Sequence, residues 1–235
     1  MLSIIIPTLN EEKFLPRLLE SIKRQSFTDY EIIISDGNST DNTKKIALEN
    51  NCQFIVDVEH HSPAWQRNNG AAVAQGDLLL FLDADSVLKD DFLEKAVAEF
   101  MARNLCGAGF YFVFNPNKFS YRLFSFLDNF FCFIRQFSSA PASVGAGIMA
   151  RKKDHDAIKG FDPKILLAED FDYCARLSKQ GKFRMIKSTR LLYSARRIEK
   201  EGWFRVAYKW GRMATFTLFN KKIKKEKIKY EFGNF

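Results

Sequence analysis

Cysteine is sparse and unpaired in this sequence. Cys52, Cys106, Cys132 and Cys174 stand far apart in 235 residues, and none has metal-ligand or C-x-x-C spacing. This argues against a disulfide framework or a sulfur-bound metal and points to reduced, buried thiols in an intracellular protein. No apolar run reaches about 18 residues, so no membrane-spanning helix is expected. The opening MLSIIIP has no basic leader and too short an apolar run for a signal peptide. Histidine is limited to His60, His61 and His155. The G-x-G-x-x-G turn of a dinucleotide site is missing: Pro7-Thr8-Leu9-Asn10 follows the first apolar run instead, which argues against a nicotinamide- or flavin-dependent oxidoreductase. There is no internal repeat and no low-complexity linker.

The chain does have positive charge and phenylalanine. The formal net charge is +8, the pI about 9.3, and Phe occurs 24 times. Such a balance suggests an anionic partner, whether nucleic acid, anionic lipid or a phosphorylated small molecule. No nucleic-acid reader motif is present, and the lysines gather in a C-terminal tail (Lys221, Lys222, Lys224, Lys225, Lys227, Lys229) rather than in a stripe interleaved with aromatics. No nucleic-acid partner is therefore expected.

The first hundred residues alternate between two patterns. LSIII, YEIIIS, QFIVDV and DLLLFL are short apolar runs that read as strands. Between them, residues 11–24, 40–50, 64–75 and 90–102 have helical spacing, the second with Ser39 or Thr40 as its N-cap. Such alternation predicts an α/β fold with a mainly parallel sheet flanked by helices. Beyond residue 106 the spacing predicts strands at 106–114 and 143–150, an aromatic helix at 118–137 and a helix at 169–180. Two short strands (KFRMI, RLLYS), a last helix at 200–219 and a basic tail follow. The expected organisation is a domain over 1–198, with a nucleotide half at 1–105 and an acceptor half at 106–198, followed by a helical and basic extension at 199–235.

In open α/β sheets ligands sit at the carboxyl ends of the strands, and there the chain places its polar clusters. Asp83-Ala84-Asp85 ends the fourth strand. Two carboxylates that close resist joint ionisation unless a cation accompanies them, and Mg²⁺-like ions take one or two carboxylates plus phosphate oxygens. A turn-capping role for Asp85 or Ser86 is the competing reading. SDGNSTDNT follows the second strand, where an Asx-turn with a capping box explains it equally well. Arg67 sits near a helix start, suited to phosphate or to a carboxylate. Glu169 and Asp170 open a helix, where the dipole alone favours acids; the alternative is a general base.

In order, strand-PTLNEE, strand-SDGNSTDNT, QRNNGAAVAQGD, LLLFLDAD, GAGIMARKKDHDAIKGFDP and AEDFDYCARLSKQG resemble a family 2 inverting glycosyltransferase of the GT-A fold, over roughly residues 2–182. The resemblance implies transfer from a nucleoside-diphosphate sugar, most commonly a UDP-sugar, with Mn²⁺ or Mg²⁺ as cofactor. It places Pro7, Thr8 and Glu11 beside the nucleotide, Asp36 on its base, Arg67 nearby, Asp83 near the ribose, Asp85 on the metal, and Asp170 of the Glu169-Asp170 pair as catalytic base. Gly160-Phe161 and Asp162 resemble the segment that frames the acceptor pocket.

Many members also carry a histidine after the last core strands, which this chain lacks; Arg196 or Arg197 is expected to bring positive charge to the diphosphate and shares the donor set. The aromatic helix and the basic tail suggest an acceptor carried on a lipid or a cell-surface glycan precursor. They also suggest a cytoplasmic protein in peripheral contact with the inner face of the membrane. In the aromatic helix, Phe119, Leu123, Phe126, Phe130, Ile134 and Phe137 form one apolar stripe, either buried against the core or a partner or facing lipid. A nucleotidyltransferase with a metal–nucleotide site is the nearest enzymatic alternative. A non-enzymatic basic protein that binds nucleic acid or a membrane surface is the other.

Overall fold

The structure is a computed structural model that describes residues 1–211 apart from 61, 116, 117, 166, 207 and 210. The basic tail, and most of the helix expected at 200–219, lie outside the described residues.

Among the described residues, eight strands form one sheet. They are β1 (Leu2–Thr8), β2 (Tyr30–Asp36), β3 (Gln53–Val56), β4 (Leu78–Leu82), β5 (Ser86–Val87), β6 (Gly107–Asn115), β7 (Gly147–Arg151) and β8 (Phe183–Ser194). Their order is β3-β2-β1-β4-β7-β6-β8-β5. The first four in that order are parallel. β7 then runs antiparallel to both β4 and β6, and β6 and β8 are parallel to each other. The sheet is thus mixed: the reversed strand β7 joins two parallel blocks, and β5 runs antiparallel to β8 at the edge. β1 lies between β2 and β4, pairing Ile4 with Ile32 and with Leu80, and its run of apolar residues follows from burial on both faces.

Among the described residues, eight helices flank the sheet: α1 (Leu15–Lys23), α2 (Thr43–Glu49), α3 (Pro63–Val73), α4 (Phe92–Ala102), α5 (Phe119–Arg135), α6 (Lys152–Ala157), α7 (Glu169–Leu177) and α8 (Arg196–Glu201). α1 buries Leu15, Leu18, Leu19 and Ile22, an i, i+3, i+4, i+7 stripe. α3 lies close on β1, since any Cβ at Gly70 would collide with Ile5. That contact sets the height of Arg67, one turn earlier.

Two expectations need correction. α2 starts at Thr43 with Asn42 as N-cap, not at Ser39 or Thr40. The Ser39 hydroxyl instead donates to Asp36 and accepts from the Asn10 backbone N–H. KFRMI and RLLYS form one strand, β8; its register against β6 jumps from Phe110↔Ile186 to Tyr111↔Arg190, so residues 187–189 loop out, and the backbone N–H groups of Lys187 and Ser188 donate to Glu99.

For α5 the sequence left the facing of the aromatic stripe open. The stripe from Phe119 to Phe137 faces outward: Phe119 is 83% exposed and Phe126 64%. The inward residues are Tyr121, Phe124, Ser125 and Cys132. Both faces of this helix are apolar, so periodicity cannot choose between them; the polar residues do. β7 pairs with β6 only at 107–109, which leaves the rest of that edge of β6 open. The Asn129 amide fills it, donating to Phe112 O at 2.8 Å and accepting from Phe112 N at 3.1 Å. About two turns on, Gln136, 1% exposed, accepts from Met185 N. These bonds roll the aromatic stripe outward.

Candidate active site

The carboxyl ends of β1 and β4, the starts of α3, α7 and α8, and one face of α5 surround a cavity of about 440 Å³. Its wall includes Pro7, Thr8, Glu11, Arg67, Asp83, Asp85, Glu169, Asp170, Arg196 and Arg197. Residues up to 190 apart in sequence therefore meet here. Of the expected site residues, Asp36 alone stands behind the wall. It is 1% exposed; its Oδ2 accepts from Thr8 Oγ1 at 2.7 Å and Ser39 Oγ at 2.6 Å, and its Oδ1 from Ser39 N at 2.6 Å. Asp36 thus orients Thr8, which does line the cavity.

Two arginines organise the acids. Arg67 is buried, and its fork is spent on carboxylates: Nη1 donates to Glu169 Oε1 and Nη2 to Asp83 Oδ1, both at 3.0 Å. Its guanidinium lies 5.2 Å from the Phe161 ring centre, and Phe161 stacks on Tyr173 at 3.8 Å. Asn68 holds both backbone groups of Phe161 at 2.8 Å. The Gly160-Phe161 segment is therefore the floor beneath Arg67.

Arg196 grips Glu11 with both terminal nitrogens, at 2.8 and 2.9 Å, and its Nε lies 2.7 Å from Asp85 Oδ2. It also lies 4.5 Å from the Phe14 ring centre. In this structure Arg196 serves the acids that follow β1 and β4, while Arg197 lines the same cavity.

Burial sets the proton affinities. Asp85 is pushed up to about 7 because desolvation outweighs the Arg196 charge, with Asp83 and Glu11 adding to the rise. Glu11 is raised for the same first reason, offset by Arg196. Asp170 is pushed up to about 8, by burial first and the neighbouring Glu169 second, against the pull of Arg67. Its Oδ2 accepts from Gly145 N at 2.7 Å, and a Cβ at Gly145 would crowd Arg67 and Asp170 at 3.0 and 3.3 Å. Only glycine lets the backbone come that close. Ala168, just ahead of α7, has φ 60°, a left-handed backbone uncommon for a residue with a side chain.

Two carboxylates at the end of β4 suit a hard divalent cation that completes its shell with water and diphosphate oxygens. Asp85 Oδ1 is buried and has no hydrogen-bond partner among the described residues, as a waiting ligand atom would be. Among the described residues no group of three or more Asp, Glu, His or Cys side chains is disposed to hold a metal, so a cation here would rely on Asp83, Asp85 and the bound diphosphate. His155 is not a candidate ligand. It is buried, 2.9 Å from Tyr173 Oη, and burial lowers it to about 4.

Sequence reasoning missed Asp128 as a site residue. It lies on the inward face of α5 and lines the cavity with Phe124, Leu127 and Phe131. Its one hydrogen-bond partner among the described residues is the Cys132 thiol, at 3.8 Å, and burial pushes it up to about 7. The signal was available: a lone acid i+4 from Phe124 on an aromatic helix. Tyr193, whose hydroxyl lies 3.4 Å from Asp83 Oδ2, is a second such residue.

Residues 3–158 match the family described as glycosyl transferase family 2. A GalNAc(5)-diNAcBac-PP-undecaprenol beta-1,3-glucosyltransferase of Campylobacter jejuni is 33% identical over 108 residues, which cover 43% of this chain and 34% of that protein. An uncharacterised glycosyltransferase of Haemophilus influenzae is 28% identical over 204 residues, 80% of this chain and 65% of that one. The chain thus spans between about a third and two thirds of the length of these relatives. S. aureus TarS 1–349, solved in complex with UDP-GlcNAc, has a similar fold, with a TM-score of 0.65 at 20% identity over 82% of this chain and 58% of that one. So does the mannosyltransferase PcManGT of Pyrobaculum calidifontis, solved with GDP-Man and Mn²⁺: TM-score 0.65, 19% identity, 79% and 54% coverage. With a GT-A arrangement of the sheet and a match that covers more than half of its length, the chain belongs to glycosyl transferase family 2.

Proposed function

We propose that the chain moves a sugar from a nucleoside-diphosphate sugar, a UDP-sugar first among them, to an acceptor hydroxyl, with inversion at the anomeric carbon and a divalent cation bound. The observation that carries this reading is the split of acids in one cavity. Asp83 and Asp85 end β4 on one side, and Asp170 opens α7 on the other, with Arg67 bridging the two groups through Asp83 and Glu169. The solved relatives bound to UDP-GlcNAc and to GDP-Man with Mn²⁺ support it by their fold.

In this reading Thr8, Glu11 and the loops after β1 and β2 receive the nucleotide. Asp83 and Asp85 hold the cation, which supplies charge neutralisation to the leaving diphosphate when bound. Asp170 takes the proton of the acceptor hydroxyl as the acceptor oxygen bonds to the anomeric carbon. The sugar–phosphate bond breaks on the opposite side, and its electron pair leaves with the diphosphate. Arg67 and Gly145 N–H keep Glu169 and Asp170 in place. Phe124, Leu127 and Phe131 give the acceptor side an apolar wall, which favours an acceptor carried on a lipid; the Campylobacter relative, named for an undecaprenol-linked substrate, supports this.

Thermal shift with a panel of nucleoside diphosphates and their sugars, with and without Mn²⁺ or Mg²⁺, tests the donor site. Stabilisation by at least one diphosphate that needs the metal is expected. If no member of the panel stabilises the protein, the reading fails.

A further inference from the structure

The outward face of α5 is reversed relative to an ordinary surface helix. Its polar residues Ser125, Asp128, Asn129 and Gln136 (the last just past its end) face the protein, and its aromatic stripe faces out. Phe119, Phe126, Phe130 and Phe137 are 83%, 64%, 52% and 63% exposed, with Leu123 and Ile134 among them. So much contiguous apolar surface marks a contact site.

Its charges are of one sign. Lys118, Arg122 and Arg135 lie on or beside the helix, and Arg190 lines the same groove as Phe126 and Phe130. The one acid in α5, Asp128, lines the cavity. At about 25 Å for its 17 residues, and with no helix among the described residues long and apolar enough to cross a membrane, α5 suits lying in a membrane plane rather than spanning it. A second copy docked face to face would set arginine against arginine, an arrangement disfavoured by like-charge repulsion. An anionic bilayer meets both the phenylalanines and the arginines.

We propose that the outward face of α5, not the lysine tail, is the principal docking surface of this protein on an anionic lipid bilayer. This deepens the transferase reading and rests on it for its purpose. The opposite face of the same helix is a wall of the cavity, so docking α5 places the acceptor entrance at the lipid surface.

The test is co-sedimentation of the full chain with phosphatidylglycerol–phosphatidylcholine vesicles and with pure phosphatidylcholine vesicles, without donor. The wild type is expected to partition to the anionic vesicles, and less so as salt rises. The double variant F126D/F130D is expected to lose about tenfold or more of that binding. Changing Lys221, Lys222, Lys224 and Lys225 together to Gln is expected to cost less. Equal binding to both vesicle types overturns the proposal, as does full binding by F126D/F130D, or loss on changing the lysines alone. A change of oligomeric state in F126D/F130D with vesicle binding intact also overturns it, in favour of a second copy. Should the variant misfold, a photoreactive lipid in the vesicles should label residues 119–137 of the wild type; labelling elsewhere counts against α5. Stabilisation by UDP with Mn²⁺, measured on the same samples, separates the claims. Its absence in the wild type would count against the donor reading and leaves the vesicle result to stand by itself.

Discussion

The two walls of the cavity differ in how much of their chemistry is already paired. On the wall built by the loops after β1, β2 and β4, acids and bases are matched inside the protein. Asp36 is held by Thr8 and Ser39, Glu11 and Asp85 by Arg196, and Asp83 by Arg67. On the α5 wall, Asp128 has a thiol at 3.8 Å and otherwise apolar neighbours in Phe124, Leu127 and Phe131. The first wall is preorganised for a charged ligand of fixed shape; the second provides burial and a single carboxyl. The first arrangement suits the nucleotide proposed above, because prearranged charges need no reorganisation when a ligand arrives.

The largest test of this contrast divides Asp170 from Asp85. Asp170→Asn is expected to lose about a thousandfold in turnover while keeping donor affinity, whereas Asp85→Ala is expected to lose metal-dependent donor binding; steady-state kinetics and nucleotide titration check both. Equal losses of binding would merge the two roles. In the wild type, kcat/KM should rise with pH towards about 8, because Asp170 must shed its proton to act as base.

Next is Arg67→Met, which leaves Asp83 and Glu169 without their shared cation. A loss of about 3–5 kcal/mol in stability is expected, read by denaturant unfolding. Thr8→Val is smaller. Removing the donor to Asp36 should cost about 1–3 kcal/mol and lower donor affinity, with Asp36 still in place behind the wall.

The smallest expected effect lies on the other wall. Asp128 is raised to about 7 in the fold from an ordinary 3.8, so it contributes stability below pH about 4 that is lost as pH rises through 7. Asp128→Asn should therefore match the wild type near pH 4 and melt a few degrees higher near pH 8. Melting curves across pH, without donor, check this. A variant equally destabilised at both pH values would mean that Asp128 is instead a paired structural acid.

Much of the first wall was legible because it follows a rule of place. Buried parallel strands read as apolar runs, and the residues just after them form the cavity rim, which put Thr8, Glu11, Asp83 and Asp85 on the page before any coordinates. The position of Asp36 was not legible. Its side chain turns back to Thr8 and Ser39, a local hydrogen-bonding choice that strand patterns do not encode. The start of α2 was misread for the same reason, since Ser39 serves Asp36 and Asn10 rather than a helix end.

The orientation of α5 was hidden by its composition: with phenylalanine on both faces, the decision passed to Asn129 and Gln136 and to an open edge of β6. The two strands read at 182–194 were joined because Glu99 satisfies the backbone N–H groups of Lys187 and Ser188 in the looped-out stretch, a partner nearly ninety residues away in sequence.

The bridge from Arg67 to Glu169 closes 102 residues of chain. Contacts of such separation form late in folding, after shorter loops have closed. A nascent chain that has made residues 1–105 therefore holds a guanidinium with one of its two carboxylates missing. The link between the Asp83 side of the cavity and the Asp170 side is thus among the last to close, and under the proposed mechanism turnover would wait for it.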